Sequence, residues 1–119
     1  PHTAKGNGET IMAGLNCGSP CTVAWDILRD YGSYALECGD DAAKLGMRTL
    51  RRFGIVSGES GASAIGAFLE LARMPEQKAQ LGIGPDSRIL FFSTEGNTDP
   101  VSYAEITADV EREKASKKG

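Results

Sequence analysis

Histidine, tryptophan and cysteine are scarce in this chain: one His, one Trp and three Cys among 119 residues. Each shortage excludes something. A structural zinc site needs about four ligands, but Cys17-x-x-x-Cys21 has no second ligand pair to join and His2 is the lone imidazole. No metal centre is expected. Cys17, Cys21 and Cys38 are too few for a secreted disulfide framework. They leave either a Cys17–Cys38 bridge or, as the commoner state, buried free thiols. Positive charge is not in excess: 13 Lys and Arg face 16 Asp and Glu, a net charge of −3. Neither nucleic acid nor an anionic membrane is indicated as a partner. No apolar run approaches the roughly 20 residues of a membrane span. The polar opening from Pro1 to Thr10 does not read as a signal peptide, so a cytoplasmic protein is expected. A start at Pro1 without Met suggests a cut or processed chain.

Against these absences stand 40% hydrophobic and 24% charged residues, an ordinary globular balance for one small domain. The most informative stretch is Arg88 to Asp99. Ile89-Leu-Phe-Phe92 is an unbroken apolar run, the length of a strand buried on both faces of a parallel sheet. It gives way to Ser93-Thr-Glu-Gly-Asn-Thr-Asp99 and then Pro100. In open α/β sheets, ligands bind beyond the carboxyl ends of the strands. Hydroxyls delivered there by a buried strand mark a candidate site.

The remaining chain alternates in type. Residues 1–9 read as a flexible start and Thr10–Ala13 as a strand end. Gly14-Leu-Asn-Cys-Gly-Ser-Pro20 is a turn-rich loop, either needing φ > 0 or bringing backbone N–H groups to a ligand. A helix is predicted over about Cys21–Tyr31, with Ser19 as cap, Pro20 in the first turn and Val23, Ile27, Leu28 and Tyr31 on one face. Ser33–Cys38 is a mixed, short strand. Asp40–Arg52 is a second helix with Ala43, Met47 and Leu50 at i, i+4 and i+7. Its Arg48, Arg51 and Arg52 are either a phosphate-binding cluster or a solvated, dipole-matched end. Ile55-Val56 is a very short buried strand, leading through Ser57-Gly-Glu-Ser-Gly61 into a third helix near Ser60. Ile65, Phe68, Leu69 and Ala72 form its predicted face, and Gly61 and Gly66 permit close approach. Its N-terminus either offers free N–H groups to an anion or ring substituent, or simply packs tightly. Pro75–Leu81 is a short charged helix or turn. Asp99 and Pro100 begin a last helix with Tyr103, Ile106 and Val110 inward, fraying beyond Glu111 and through 112–119. The alternation indicates α/β layering with too few strands for a complete domain.

Four segments taken together resemble a known family. They are Thr10-Ile-Met-Ala-Gly-Leu-Asn-Cys-Gly-Ser-Pro20, Ala24-Trp-Asp-Ile-Leu-Arg29, Ile55-Val-Ser-Gly-Glu-Ser-Gly-Ala62 and Phe92-Ser-Thr-Glu-Gly-Asn-Thr-Asp-Pro100. In this order they are similar to the C-terminal part of the 2,3-diaminopropionate ammonia-lyases, between about Thr10 and Ala108. These are pyridoxal-phosphate (PLP) enzymes of the tryptophan-synthase-β-like fold type II. The resemblance implies an incomplete fragment of a parallel or mixed-sheet, three-layer α/β large domain. The implied reaction is α,β-elimination of 2,3-diaminopropionate to pyruvate and ammonia in amino-acid catabolism, by a homodimer of full-length subunits. The family's reactive lysine, catalytic aspartates and glycine-rich phosphate loop have no match here, so the chain alone is expected to be inactive.

The resemblance further implies Ser93 opposite the pyridine nitrogen and Thr94 as the next ring contact. Ser57, Glu59 and Gly61 fall in the loop beside the ring, and Asn16 in a substrate-side loop. Glu95, Asn97 and Asp99 are expected to shape their loop. The alternatives are another fold type II PLP lyase or dehydratase, or a non-catalytic fragment acting only in assembly.

Overall fold

The computed structural model describes residues 2–3 and 5–117, and expectations for Pro1, Ala4, Lys118 and Gly119 lie outside them. Among the described residues the regular structure is entirely helical. A short 3-10 turn at Ala13–Leu15 precedes α1 (Thr22–Tyr31), α2 (Asp40–Arg52), α3 (Glu59–Leu71), α4 (Pro75–Gln80) and α5 (Pro100–Ser116).

The expected α/β sheet is therefore corrected: no strand forms among the described residues, not at 33–38, 55–56 or 89–92. The reason is pairing. A strand is stable only when its N–H and C=O groups meet a neighbour. The one backbone bond between the two site loops is Gly58 N–H to Glu95 O, 3.1 Å, and one bond is not a ladder. Burial is corrected with it. Leu90 and Phe92 are 76% and 75% exposed, and Ile55 and Val56 are exposed as well. Only Phe91 of the run turns inward, its ring edge-on to Phe68 of α3 at 5.5 Å.

The core sits where α2 meets α3 on one side and α5 on the other. Met47, Leu50, Ala62 and Tyr103 are buried together, flanked by Ile65 and Ile106. The predicted faces of α2 and α5 are the ones that pack. In α3 the buried side is instead the small-residue one: Ala62, Ser63, Gly66 and Ala67 are buried, while Ile65, Phe68 and Leu69 are only half-buried. Gly46 and Gly66 explain the choice. A Cβ on Gly66 would collide with the Ala42 carbonyl, and one on Gly46 with that of Ala62. The two backbones lie too close for side chains between them.

The arginines of α2 turn to α5. Arg51 pairs with Glu111 at 2.6 Å, Arg52 with Glu113 at 3.1 Å and Arg48 with Asp109 at 3.4 Å. Lys114 Nζ also donates to the Arg51 carbonyl at 3.0 Å. These contacts engage α5 as far as Lys114, and Arg51 and Arg52 stand in the last turn of α2, at its dipole-matched end, paired with acidic residues of α5.

Caps divide into two kinds. Asp99 accepts from the N–H groups of Val101 and Ser102 at 3.1 and 3.0 Å, with Pro100 in the first turn, as the local pattern predicts. Ser19 does not cap α1; Cys21 holds the cap position without a side-chain bond, and Ser19 Oγ lies 3.2 Å from Thr3 Oγ1. Gly14 and Gly18 do not use positive φ; Gly8, Gly54 and Gly82 do. The cysteines are free, but Cys17 and Cys21 are exposed rather than buried and Cys38 is half-buried. Partial burial, then the charges of Glu70, Asp40 and Glu37, push the Cys38 thiol up.

Candidate functional site

Two loops meet at the N-terminus of α3. One is 57–61, arriving from α2; the other is 93–98, leading into α5. At one end Ser93 Oγ–H donates to Ser57 Oγ at 2.8 Å. Ser57 is 1% exposed, whereas Ser93 lies at the surface. Gly61 makes room for this pair. A Cβ there would stand 2.7 Å from Ser57 Oγ and 3.0 Å from both the N and O of Glu95. Gly58 has the same function opposite Gly96 and the Glu95 side chain.

At the other end stands Glu95. Its Oε2 accepts from the Ser60 N–H at 2.9 Å, and its Oε1 accepts from Thr98 Oγ at 2.7 Å. The α3 cap residue, Gly58, has no side chain to offer, so a carboxylate from a distant segment takes that place. The Thr98 hydroxyl, followed by the Ser60 and Gly61 N–H groups, holds the Glu95 carboxyl below its usual range against the opposing effect of burial. The Ser60 N–H, one of those the start of α3 offers to an anion, is thus met internally. Ser60 also reaches the other way: its Oγ accepts from the Gly14 N–H at 3.0 Å, tying the Ala13–Leu15 turn to α3. Thr10 Oγ1–H donates to Asp40 at 2.5 Å, fixing the same segment to the start of α2.

Of the candidate residues, Ser57, Gly61 and Ser93 come together in contact. Thr94 is exposed beside Ser93. Glu59 is buried and faces α5, where Ser102 Oγ–H donates to its Oε1 at 2.5 Å. Asn16 donates through Nδ2 to the Gly8 carbonyl at 2.7 Å. It lines a cleft of about 330 Å³ with Lys5, Gly8 and Cys17, and neither serine of the pair is among its lining residues. A second, apolar cleft of about 380 Å³ between Leu15, Leu36, Ala67, Phe68 and Phe91 contains none of the candidates. Sequence reasoning missed Ser60 and the depth of Glu95's involvement. Their contact spans 35 positions in the chain, and no local spacing announces it. Among the described residues, no group of three or more His, Cys, Asp or Glu side chains could hold a metal ion.

Known proteins give this geometry a context. No protein-family model matches the chain. Over 109 residues it is 39% identical to diaminopropionate ammonia-lyase of Escherichia coli (strain K12). The chain is a homologue of the diaminopropionate ammonia-lyases. That match takes in 85% of this chain and 27% of the relative, so the chain spans about a quarter of the relative's length. Two crystal structures of the E. coli ammonia-lyase carry the likeness into three dimensions. The complex with D-serine superposes with a TM-score of 0.74 at 36% identity, covering 81% of this chain and 27% of that one. The complex with an aminoacrylate–PLP azomethine reaction intermediate gives 0.69 at 36% identity, covering 84% and 28%. Among the described residues no helix is long and apolar enough to cross a membrane.

Proposed function

We propose that this chain forms the pyridine-ring side of the cofactor site in a PLP-dependent diaminopropionate ammonia-lyase. The full reaction is the α,β-elimination of 2,3-diaminopropionate to pyruvate and ammonia, in a cytoplasmic homodimer that serves amino-acid breakdown. The observation that carries this reading is the Ser57–Ser93 hydroxyl pair, one member buried and fixed, the other open to the surface. The relatives' acquaintance with PLP and a small amino acid supports it.

The residues fit such a ring. A hydroxyl carries one proton and two acceptor positions. Here Ser93 donates its proton to Ser57; rotation about the Ser93 Cβ–Oγ bond turns the same proton outward, with the buried Ser57 still beside it. A pyridine nitrogen with a free lone pair is the matching acceptor. A hydroxyl there does not protonate the nitrogen as a carboxylic acid would, so the ring remains a weaker electron sink. That favours prompt loss of a β-substituent over side reactions. When bound, PLP supplies the electron sink for removal of the α-proton. Thr94 stands beside the ring edge. Gly61 keeps the backbone close, and Ser57 and Glu59 hold their loop in place, the latter through Ser102 of α5. Asn16 belongs to the substrate side. The reactive lysine is assigned to polypeptide outside this chain, which is inactive on its own.

Ser93→Asp in the full-length enzyme provides the test. A carboxylate at this position raises ring-nitrogen protonation, shifts the cofactor absorption and changes the ratio of elimination to side products. An unchanged spectrum together with an unchanged product ratio would remove Ser93 from the ring nitrogen.

A further inference from the structure

We infer that Glu95 is a positioning residue for this site: it sets the placement of Ser93 by locking the 93–98 loop onto the N-terminus of α3. The inference rests on the reading of Ser93 as the ring-nitrogen contact, and adds to it a residue that touches no ligand.

Glu95 makes most of the bonds that join the two loops. Its carbonyl accepts from the Gly58 N–H at 3.1 Å, and its carboxylate from the Ser60 N–H at 2.9 Å. Another is the Ser93–Ser57 bond itself. Ser93 is exposed and two residues away, with no other side-chain bond among the described residues. Without the Glu95 carboxylate, only the Gly58–Glu95 backbone bond and one hydroxyl–hydroxyl bond would remain between the loops, and an exposed hydroxyl exchanges such a bond readily for water. The carboxylate is itself oriented by Thr98 at 2.7 Å. Its backbone approach is possible only because Gly58 and Gly61 carry no Cβ. Glu95 also reaches past α3. Ser60, whose N–H it accepts, receives the Gly14 N–H on its hydroxyl. One side chain therefore keeps the Ser93 loop and the turn leading to Asn16 in register about the same helix end.

The test uses the full-length enzyme loaded with PLP labelled with nitrogen-15 in the ring, and reads the pyridine nitrogen resonance. Ser93→Ala, which removes the proposed contact, defines the full displacement of that resonance. Glu95→Ala should move it in the same direction and loosen cofactor binding by about tenfold, the effect of losing one or two charge-assisted bonds. Glu95→Gln, which retains an acceptor oxygen for Ser60, should restore most of both. In the double variant Ser93→Ala/Glu95→Ala the resonance should match that of Ser93→Ala alone. A resonance unmoved by Ser93→Ala overturns the cofactor reading. A resonance moved by Ser93→Ala but not by Glu95→Ala overturns the positioning role and leaves that reading standing. If Glu95→Ala does not fold, Thr98→Val frees the carboxylate from one anchor and must shift the resonance in the same direction, by less; no shift there overturns the inference.

Discussion

Glu95 accepts from Ser60, Thr98 and Gly58, and its charge should be visible in acid. Thr98 and the α3 N–H groups stabilise the carboxylate, holding its pKa below the ordinary value of 4.5. A carboxyl with a depressed folded-state pKa stabilises the fold above its unfolded pKa, and that contribution is lost as pH falls through the folded value. Stability should therefore decline from about pH 4.5 downward as Glu95 takes up its proton. Glu95→Gln should be less stable at neutral pH and flatter across that window. Urea melts at about pH 7 and pH 3.5 will compare the two; parallel losses in wild type and variant would show that the charge anchors nothing. Contacts of this range mark the limit of what the chain reveals unaided. Asp99 followed by Pro100 could be read as a cap because donor and acceptor lie within three residues. The Glu95–Ser60 cap could not, since the two loops meet only after α3 and the segment before α5 have taken their places.

At the scale of elements, the same distinction separates α2 from α3. Ala43, Met47 and Leu50 give α2 a single apolar stripe, and the helix forms where its period places it. In α3 both sides are apolar, one made of Ala and Gly, the other of Ile and Phe. Period alone cannot rank them. The small side wins because Gly46 and Gly66 let the two backbones come into contact, and close packing over that length outweighs burying the larger groups. The prediction is direct: Gly66→Ala should destabilise by about 1–3 kcal/mol despite a helix-propensity gain of about 1 kcal/mol. The inserted methyl has the Ala42 carbonyl in its way. Thermal melts will read it, and a variant as stable as wild type would mean that the α2–α3 seam is not tightly packed. The missing strands have a related cause. Ile89 to Phe92 has the composition of a buried strand, but composition cannot supply the neighbour that a ladder requires.

For the whole molecule, the unpartnered surface is the dominant property. The radius of gyration is 16.2 Å, against about 13.5 Å expected for a compact domain of this length. Among the described residues α1 packs against no other element. Its predicted inward face is exposed instead, Val23 by 86% and Tyr31 by 82%, with Ile27 and Leu28 between them. Leu90, Phe92 and Phe53 add further apolar surface. Apolar area on this scale favours association, because each contact removes it from water. The purified 119-residue chain should therefore gain apparent mass with concentration in light scattering and bind a hydrophobic dye. The combined change Ile27→Lys/Leu90→Lys should reduce both effects without lowering helix content. Neither residue belongs to the α2–α3–α5 core, so the core should survive the two charges. A concentration-independent monomer that ignores the dye would mean that α1 and the 89–92 segment fold back onto the core in solution, covering the faces that stand open here.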